Sequence, residues 1–447
     1  MDARNNLIKF KLQMTAKSRR ILFFVFVCFF LMAAPTIILY SQGYRLSIPS
    51  ANGKYFVKTG GLFVKTYPKQ TDIYINGNLS KKTDIFFGSS LIENLLPKKY
   101  KIEVRKEGYY TWQKELAINE KEVTEAKYVV LFPQNPAFDV AAEGASNFWP
   151  SPDGKKIILY ENPGGNWSLK LYDVDKGLKS QLADESDISV DGANLTKVEW
   201  SSDSKAIDLS VNLRSEQRNY TLNVERPSPQ LIRKNDPSLV PQNTLAFEKT
   251  PGAIYYLDQT GFVYKKDPAT SEAAKINEKS FPQTKGKDYQ IWVLGNELFI
   301  AESQNLYFYN PKAGDFEKIF ENLASDLKLS PDGGKVAYFS NSELWVFFLK
   351  DNTEEPKKSA GDKLFIVRLS EKIQDCVWLN PDYLVFSSGG NVKISEIDNR
   401  DRLNMIDLVK FTQPGNDTDQ KQTLFWDSDS KSLYVLNNGN LYKAAVN

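Results

Sequence analysis

Apolar positions fall into three patterns along the chain. The first is continuous: Ile21 to Tyr40, ILFFVFVCFFLMAAPTIILY, is 20 positions without a charge. At 1.5 Å rise per residue such a helix covers about 30 Å, the thickness of a hydrocarbon core. The second alternates with period two. Leu62, Val64 and Thr66 interleave with Phe63 and Lys65, and Tyr100, Ile102 and Val104 interleave with charges. Such alternation predicts half-buried strands. Between them Asp72-Ile-Tyr-Ile-Asn-Gly77 predicts a strand running into an Asn-Gly hairpin turn. The third pattern is a unit that recurs: an aromatic-tipped strand, a turn of Ser-x-Asp-Gly type, then an apolar strand. It reads FWPSPDGKKIILY at 148–160, EWSSDSKAIDL from Glu199, KLSPDGGKVAYF from Lys328, VWLNPDYLVF from Val377 and FWDSDSKSLYVL from Phe425.

The turn aspartates stand at Asp153, Asp203, Asp332, Asp382 and Asp429, giving gaps of 50, 129, 50 and 47. The long gap divides into three units of 43, which places two degenerate copies near 250 and 295. Thr250-Pro251-Gly252 before AIYYL, and Gly295-Asn296 before ELFIA, occupy those places. Seven units of about 46 residues predict a propeller with four strands per blade. An aspartate in such a turn accepts hydrogen bonds from backbone N–H groups two residues on, which makes these five carboxylates punctuation rather than chemistry. Trp149, Trp200, Trp292, Trp378 and Trp426 are expected to fill the space between adjacent blades. Only two strands fit after Asp429, so a segment at 137–142 is expected to complete the last blade, leaving no open sheet edge.

Ahead of the apolar run stand Arg4, Lys9, Lys11, Lys17, Arg19 and Arg20 against a single acid, Asp2. The positive-inside rule keeps that flank in the cytoplasm and exports everything after Tyr40. The competing reading is a cleaved signal peptide with Ala33-Ala34 at the cut. Its apolar region would be only about 7–15 residues, whereas this run continues past Pro35 to Tyr40. These patterns divide the chain into a cytoplasmic basic tail at 1–20, a transmembrane helix at 21–41, a spacer at 42–60, a small β domain at 61–133 and a propeller at 137–447.

The run from Gly61 to Trp112 resembles the PEGA domain, a small all-β module of exported prokaryotic proteins. Gly61-Leu62, Pro68, Ile73-Tyr74-Ile75-Asn76-Gly77, Leu96-Pro97, Tyr100-x-Ile102-x-Val104 and Gly108-Tyr109-x-x-Trp112 carry the likeness. The naming tetrapeptide is replaced by Pro68-Lys-Gln-Thr71, the usual Thr-Pro by Thr83-Asp84, and the Gly after Leu-x-Pro by Lys98-Lys99. The resemblance implies a β-sandwich at 61–133 and assigns no functional residue. Tyr109, Tyr110 and Trp112 read as sheet packing, with an aromatic platform for a sugar ring or peptide as the alternative. The repeated units resemble the WD-like repeats of TolB-like propellers. The fold class is therefore all-β: a PEGA-like sandwich, then a seven-bladed β-propeller, plus one N-terminal transmembrane helix.

Composition then narrows the chemistry. Lys and Arg number 57 against 55 acids, so no nucleic-acid footprint is present. There is no histidine, which removes Ser-His-Asp catalysis and imidazole metal sites. Cys28 falls in the apolar run, far from Cys376, so a disulfide between them is implausible and neither anchors a zinc site. Ser330-Pro-Asp-Gly-Gly334 fits half of a sialidase Asp-box, but Val336-Ala337 stands where Thr-Trp is required, and Arg214, Arg218, Arg226, Arg233, Arg368, Arg400 and Arg402 are too clustered to converge from three blades. No catalytic, cofactor-binding or metal-binding residue is nominated. The expected function is a membrane-anchored extracytoplasmic binding or scaffold protein of the prokaryotic cell envelope. Residues 21–41 would hold the membrane, and the propeller would recognise an envelope protein or a cell-surface glycan. The alternative is an exported propeller glycosidase or lyase using Asp, Glu and Tyr.

Overall fold

A computed structural model describes residues 15–41, 44–46, 56–189, 192–213, 216–226, 230–234, 240–270, 272–411 and 422–446. Arg4, Lys9 and Lys11 of the basic tail, much of the spacer and Arg214 lie outside those residues. Contacts divide the chain into two units: the residues up to Arg105 with Gln113–Val130, and Lys106–Trp112 with everything from Leu131 on.

In the first unit, helix α1 spans Ala16–Ser41, and its length and composition suffice to cross a membrane. It begins five residues before Ile21, because Thr15 caps it: the Ser18 amide donates to Thr15 Oγ1 at 3.3 Å. Strands β1 (Tyr44–Leu46) and β2 (Phe56–Lys58) pair with each other. The β module follows, with β3 (Gly60–Tyr67), β4 (Asp72–Ile75), β5 (Asn78–Lys82), β6 (Ser89–Leu95), β7 (Lys98–Arg105), β8 (Trp112–Ile118) and β9 (Val123–Val130). They form two sheets, β6-β3-β9 and β5-β4-β7-β8. The alternating positions do what their period demands: Leu62, Val64, Ile73, Ile102 and Val104 are fully buried, while Lys65 is exposed. Asn76 and Gly77 both have positive φ, 48° and 82°, as a two-residue turn between β4 and β5 requires. Thr83, in the place of the usual Thr, is buried and accepts from the Thr71 amide at 2.9 Å.

The second unit is a propeller of four-stranded antiparallel sheets, all but the last built from consecutive strands. Seven are present among the described residues: sheet I at 147–184, II at 194–234, III at 244–275, IV at 289–320, V at 328–368, VI at 373–410 and VII at 423–445. Sheet VII has only three strands of its own. Its fourth is β10 (Asp139–Glu143), which pairs antiparallel with Asn440–Ala445 and lies a few residues on from the start of the segment expected to supply it. The apolar cores lie between sheets rather than inside them. One joins I to II, others join III to IV, IV to V and V to VI, and one joins VII back to I through Ala142, Phe148, Tyr434 and Leu441. Blade faces are apolar on both sides because each packs against a neighbour, so their strands read as near-continuous runs such as IILY and VAYF. Lys106–Trp112 belongs to this unit. Trp112 is buried, its Nε1 donating to Glu396 Oε2 at 2.7 Å, and Tyr110 donates to the Asp407 carbonyl at 2.9 Å. Packing is thus the role of Trp112.

Candidate functional site: turns and inner strands of the propeller

Three of the five repeated turns share one geometry. In each, the aspartate Oδ1 accepts from the amide two residues on at 3.1 Å, from Lys155, Lys205 and Gly334 respectively. It also takes the hydroxyl of the serine two residues earlier: Ser151 and Ser330 at 2.5 Å, Ser201 at 2.6 Å. That hydroxyl in turn accepts from the amide of the strand leaving the turn, at 2.9–3.0 Å. The residue after the aspartate has positive φ, 72° at Gly154, 59° at Ser204 and 62° at Gly333. Burial opposes ionisation of Asp153, but the Ser151 hydroxyl and the Lys155 amide outweigh it and hold the carboxyl below its ordinary value. Burial likewise opposes ionisation of Asp332, where Lys335, Ser330 and the Gly334 amide prevail.

Asp382 and Asp429 depart from this plan. The turn after Asn380 is two residues shorter than that after Ser330, with Asn380 paired directly to Tyr383. Asn380 Oδ1 therefore accepts the Asp382 amide at 2.8 Å, and the Asp382 carboxyl is left outside the turn's hydrogen bonding. Burial pushes it up to about 6, Lys335 pulling the other way and Asp332, Glu354 and Asp398 pushing further. In sheet VII the acceptor is Asp427, standing where the other turns have serine. It takes the Asp429 amide at 3.0 Å and the Ser430 hydroxyl, and the positive φ, 53°, moves to Lys431. The Asp153, Asp203 and Asp332 carboxylates are each held by the backbone of their own turn.

Two of the five tryptophans bond across sheets, as their place in the unit suggests. Trp200 Nε1 donates to the Trp149 carbonyl of sheet I at 3.0 Å, and Trp378 Nε1 to the Lys328 carbonyl of sheet V at 2.8 Å. The arginines pair locally: Arg218 and Arg233 with Glu216, Arg368 with Glu343, Arg400 with Asp398.

What does converge lies on the first strand of several sheets. Lys197 pairs with Glu199 at 2.6 Å in sheet II. Glu248 of sheet III is pushed up, first by burial and then by the charge of Glu199, with Lys197 opposing and Asp326 adding to it. Burial works against the Lys328 ammonium, yet Asp375, Cys376 and Asp326 outweigh it and raise its pKa. Lys328 reaches Asp375 of sheet VI at 3.7 Å, and Asp375 also holds the amides of Cys376 and of Leu424 in sheet VII at 2.9 Å each. Glu199, Glu248, Asp326, Lys328 and Asp375 thus form one chain of interacting charges drawn from several sheets. These were not singled out from the sequence. A signal was available: Lys197 and Glu199 stand three and one residues before Trp200, and Asp326 and Lys328 three and one before Leu329. No group of three or more acidic or cysteine side chains suited to a metal occurs among the described residues.

These observations define the class: an apolar N-terminal helix, a small β module and a β-propeller. Residues 59–131 match the PEGA domain family, so the module is a PEGA domain. No curated protein matches the sequence. Among solved structures, the β-propeller domain of Cps50 (Swd1) from Myceliophteria thermophila is similar at 11% identity and TM-score 0.43, covering 70% of this chain and 100% of that one. YCF48 from Cyanidioschyzon merolae is similar at 11% identity and TM-score 0.41, covering 69% of this chain and 98% of that one. A chain of the mitotic checkpoint complex stands at 10% identity and TM-score 0.44, with 70% and 95% covered.

Proposed function

We propose that the chain is a single-pass membrane protein whose PEGA domain and propeller lie outside the cytoplasm. In this reading the propeller is a binding or scaffolding platform for an envelope protein or a surface glycan. Three features support the placement: a helix long enough to span a bilayer, the basic residues Lys17, Arg19 and Arg20 at its start, and the PEGA domain after it. We read the seven sheets as seven blades of one ring, and the inner-strand charges as lining its axis. The observation that carries the binding reading is the chain of mixed charges from Glu199 to Asp375. Several sheets contribute to it, and a region carrying both signs of charge suits recognition by charge and hydrogen bonding. The turn carboxylates Asp153, Asp203 and Asp332 are engaged with their own backbone amides, which supports a turn-shaping role for them.

Three measurements test this. External protease applied to intact cells should digest the propeller and spare the N-terminal tail; protection of the propeller would overturn the orientation. A photo-crosslinking residue placed at Glu248 should trap one partner that the same residue at exposed Ile232 does not. Hydrolysis of peptidoglycan or a surface polysaccharide by the purified chain, abolished by Glu248→Gln, would replace the binding reading with an enzymatic one.

A further inference from the structure

The PEGA domain presents an apolar tip that its own fold does not use. Ile85, Phe86 and Phe87 are 57%, 75% and 74% exposed, and both phenylalanines are more exposed than any large apolar residue of α1. The tip is held, not loose. Asp84 Oδ1 accepts the amides of Phe86 at 2.8 Å and Phe87 at 2.6 Å, and Oδ2 accepts the amide and hydroxyl of Ser89 at 2.8 and 2.9 Å. Lys69 Nζ donates to the Phe86 carbonyl at 2.7 Å, and the Thr66 amide to the Gly88 carbonyl at 2.8 Å. Gly88 has φ +67°, and a Cβ there would stand 2.6 Å from the Thr66 carbonyl. These bonds fix the backbone that carries the two rings.

The only acid in the loop, Asp84, is consumed by its backbone, and the residues around it are basic. Lys69 touches the loop, Lys65 pairs with Ser89 at its exit, and Lys81 and Lys82 lead into it, Lys81 donating to the Leu91 carbonyl at 2.7 Å and Lys82 paired with Asp72 at 3.4 Å. An apolar tip ringed by lysines is complementary to an anionic lipid surface, where rings enter the acyl boundary and ammonium groups meet phosphates. Being convex, it needs no preformed pocket in a partner. Tyr40 and Ser41, at the end of α1, line a cavity of about 320 Å³ with Gly60, Gly61 and Leu91 at the start of β3. The tip lies at the other end of β3, about 25 Å away for eight residues of strand. We propose that the Ile85–Phe87 loop is a second membrane contact, inserting into an anionic bilayer and laying β3 along its surface. This rests on α1 being a membrane anchor.

The test uses the full chain carrying Cys28→Ser and Phe86→Cys, the latter labelled with an environment-sensitive dye; Cys376 is fully buried and escapes labelling. In nanodiscs of phosphatidylcholine with phosphatidylglycerol, the dye should shift to the blue and be quenched by lipid-borne nitroxides. Both effects should weaken in pure phosphatidylcholine and in the Lys65→Glu/Lys81→Glu variant. A dye that stays open to aqueous iodide in every lipid overturns the proposal. So does protection that grows with protein density without nitroxide quenching, which would assign the tip to a protein partner or a second copy. Release of the chain by alkaline washing would sink the anchor reading and this one with it. Retention of the chain with a water-like dye sinks the loop contact alone.

Discussion

Asp382 shows how a repeated residue can lose its task while keeping its place in the repeat. Its turn is two residues short, so the carboxyl finds no amide and its pKa rises to about 6 through burial. An unfolded aspartate titrates near 3.9. The folded chain therefore binds this proton more tightly, and stability falls as pH rises from about 4 through about 6. Asp382→Asn should stabilise the propeller by roughly 1–3 kcal/mol near pH 7.5 and leave it unchanged near pH 4, read by thermal unfolding at both. Asp332 runs the other way. Its carboxyl is held low by Lys335, Ser330 and the Gly334 amide against burial, so its contribution is present above about pH 4 and fades as pH falls below that. Asp332→Ala should cost about 1–2 kcal/mol near neutral pH, and Asp429→Ala much less, because Asp427 holds that turn. The Ser-x-Asp spelling made the turns legible at this scale. It could not show which copy had shifted its acceptor, since that depends on loop length and pairing register.

At the scale of strands and hairpins, period-two alternation located β3, β4 and β7 because each has one wet face and one dry face. The same rule explains what was hidden. Blade strands are covered on both sides, so no alternation separates their inward from their outward residues, and the charges at Lys197, Glu199, Asp326 and Lys328 looked like ordinary surface. Trp112 was legible as packing, but not its partner Glu396, nearly three hundred residues on. Phenylalanine at that position would leave Glu396 Oε2 without the indole donor, although Oε1 keeps the amide and side chain of Asn404 at 2.9 and 2.7 Å. Trp112→Phe should cost about 1–3 kcal/mol in thermal unfolding. In β10, Ala142 is buried against sheets VII and I. Ala142→Asp should destabilise the propeller by about 3 kcal/mol or more, whereas substitution of half-exposed Val140 should do little.

For the whole molecule, the sequence repeat announced the architecture and the apolar run announced a helix long enough to cross a membrane, while the charges that meet on the first strands depended on bringing distant repeats together. Lys328→Met should leave Asp375 partly uncompensated and lower the propeller's stability, and Lys328→Met/Asp375→Leu should recover part of that loss, as removing both members of a buried pair does.

Sheet VII has one further bearing, on timing. Its strand at Asp139–Glu143 emerges early in synthesis, yet its partner at Asn440–Ala445 is about three hundred residues away. Until Asn440–Ala445 arrives, the growing chain carries an unmated strand, prone to wrong pairing. A chain truncated before Asn440 would retain most of its sheets and still lack the clasp. A cell making this protein therefore has reason to shield Asp139–Glu143 until Asn440–Ala445 has been made.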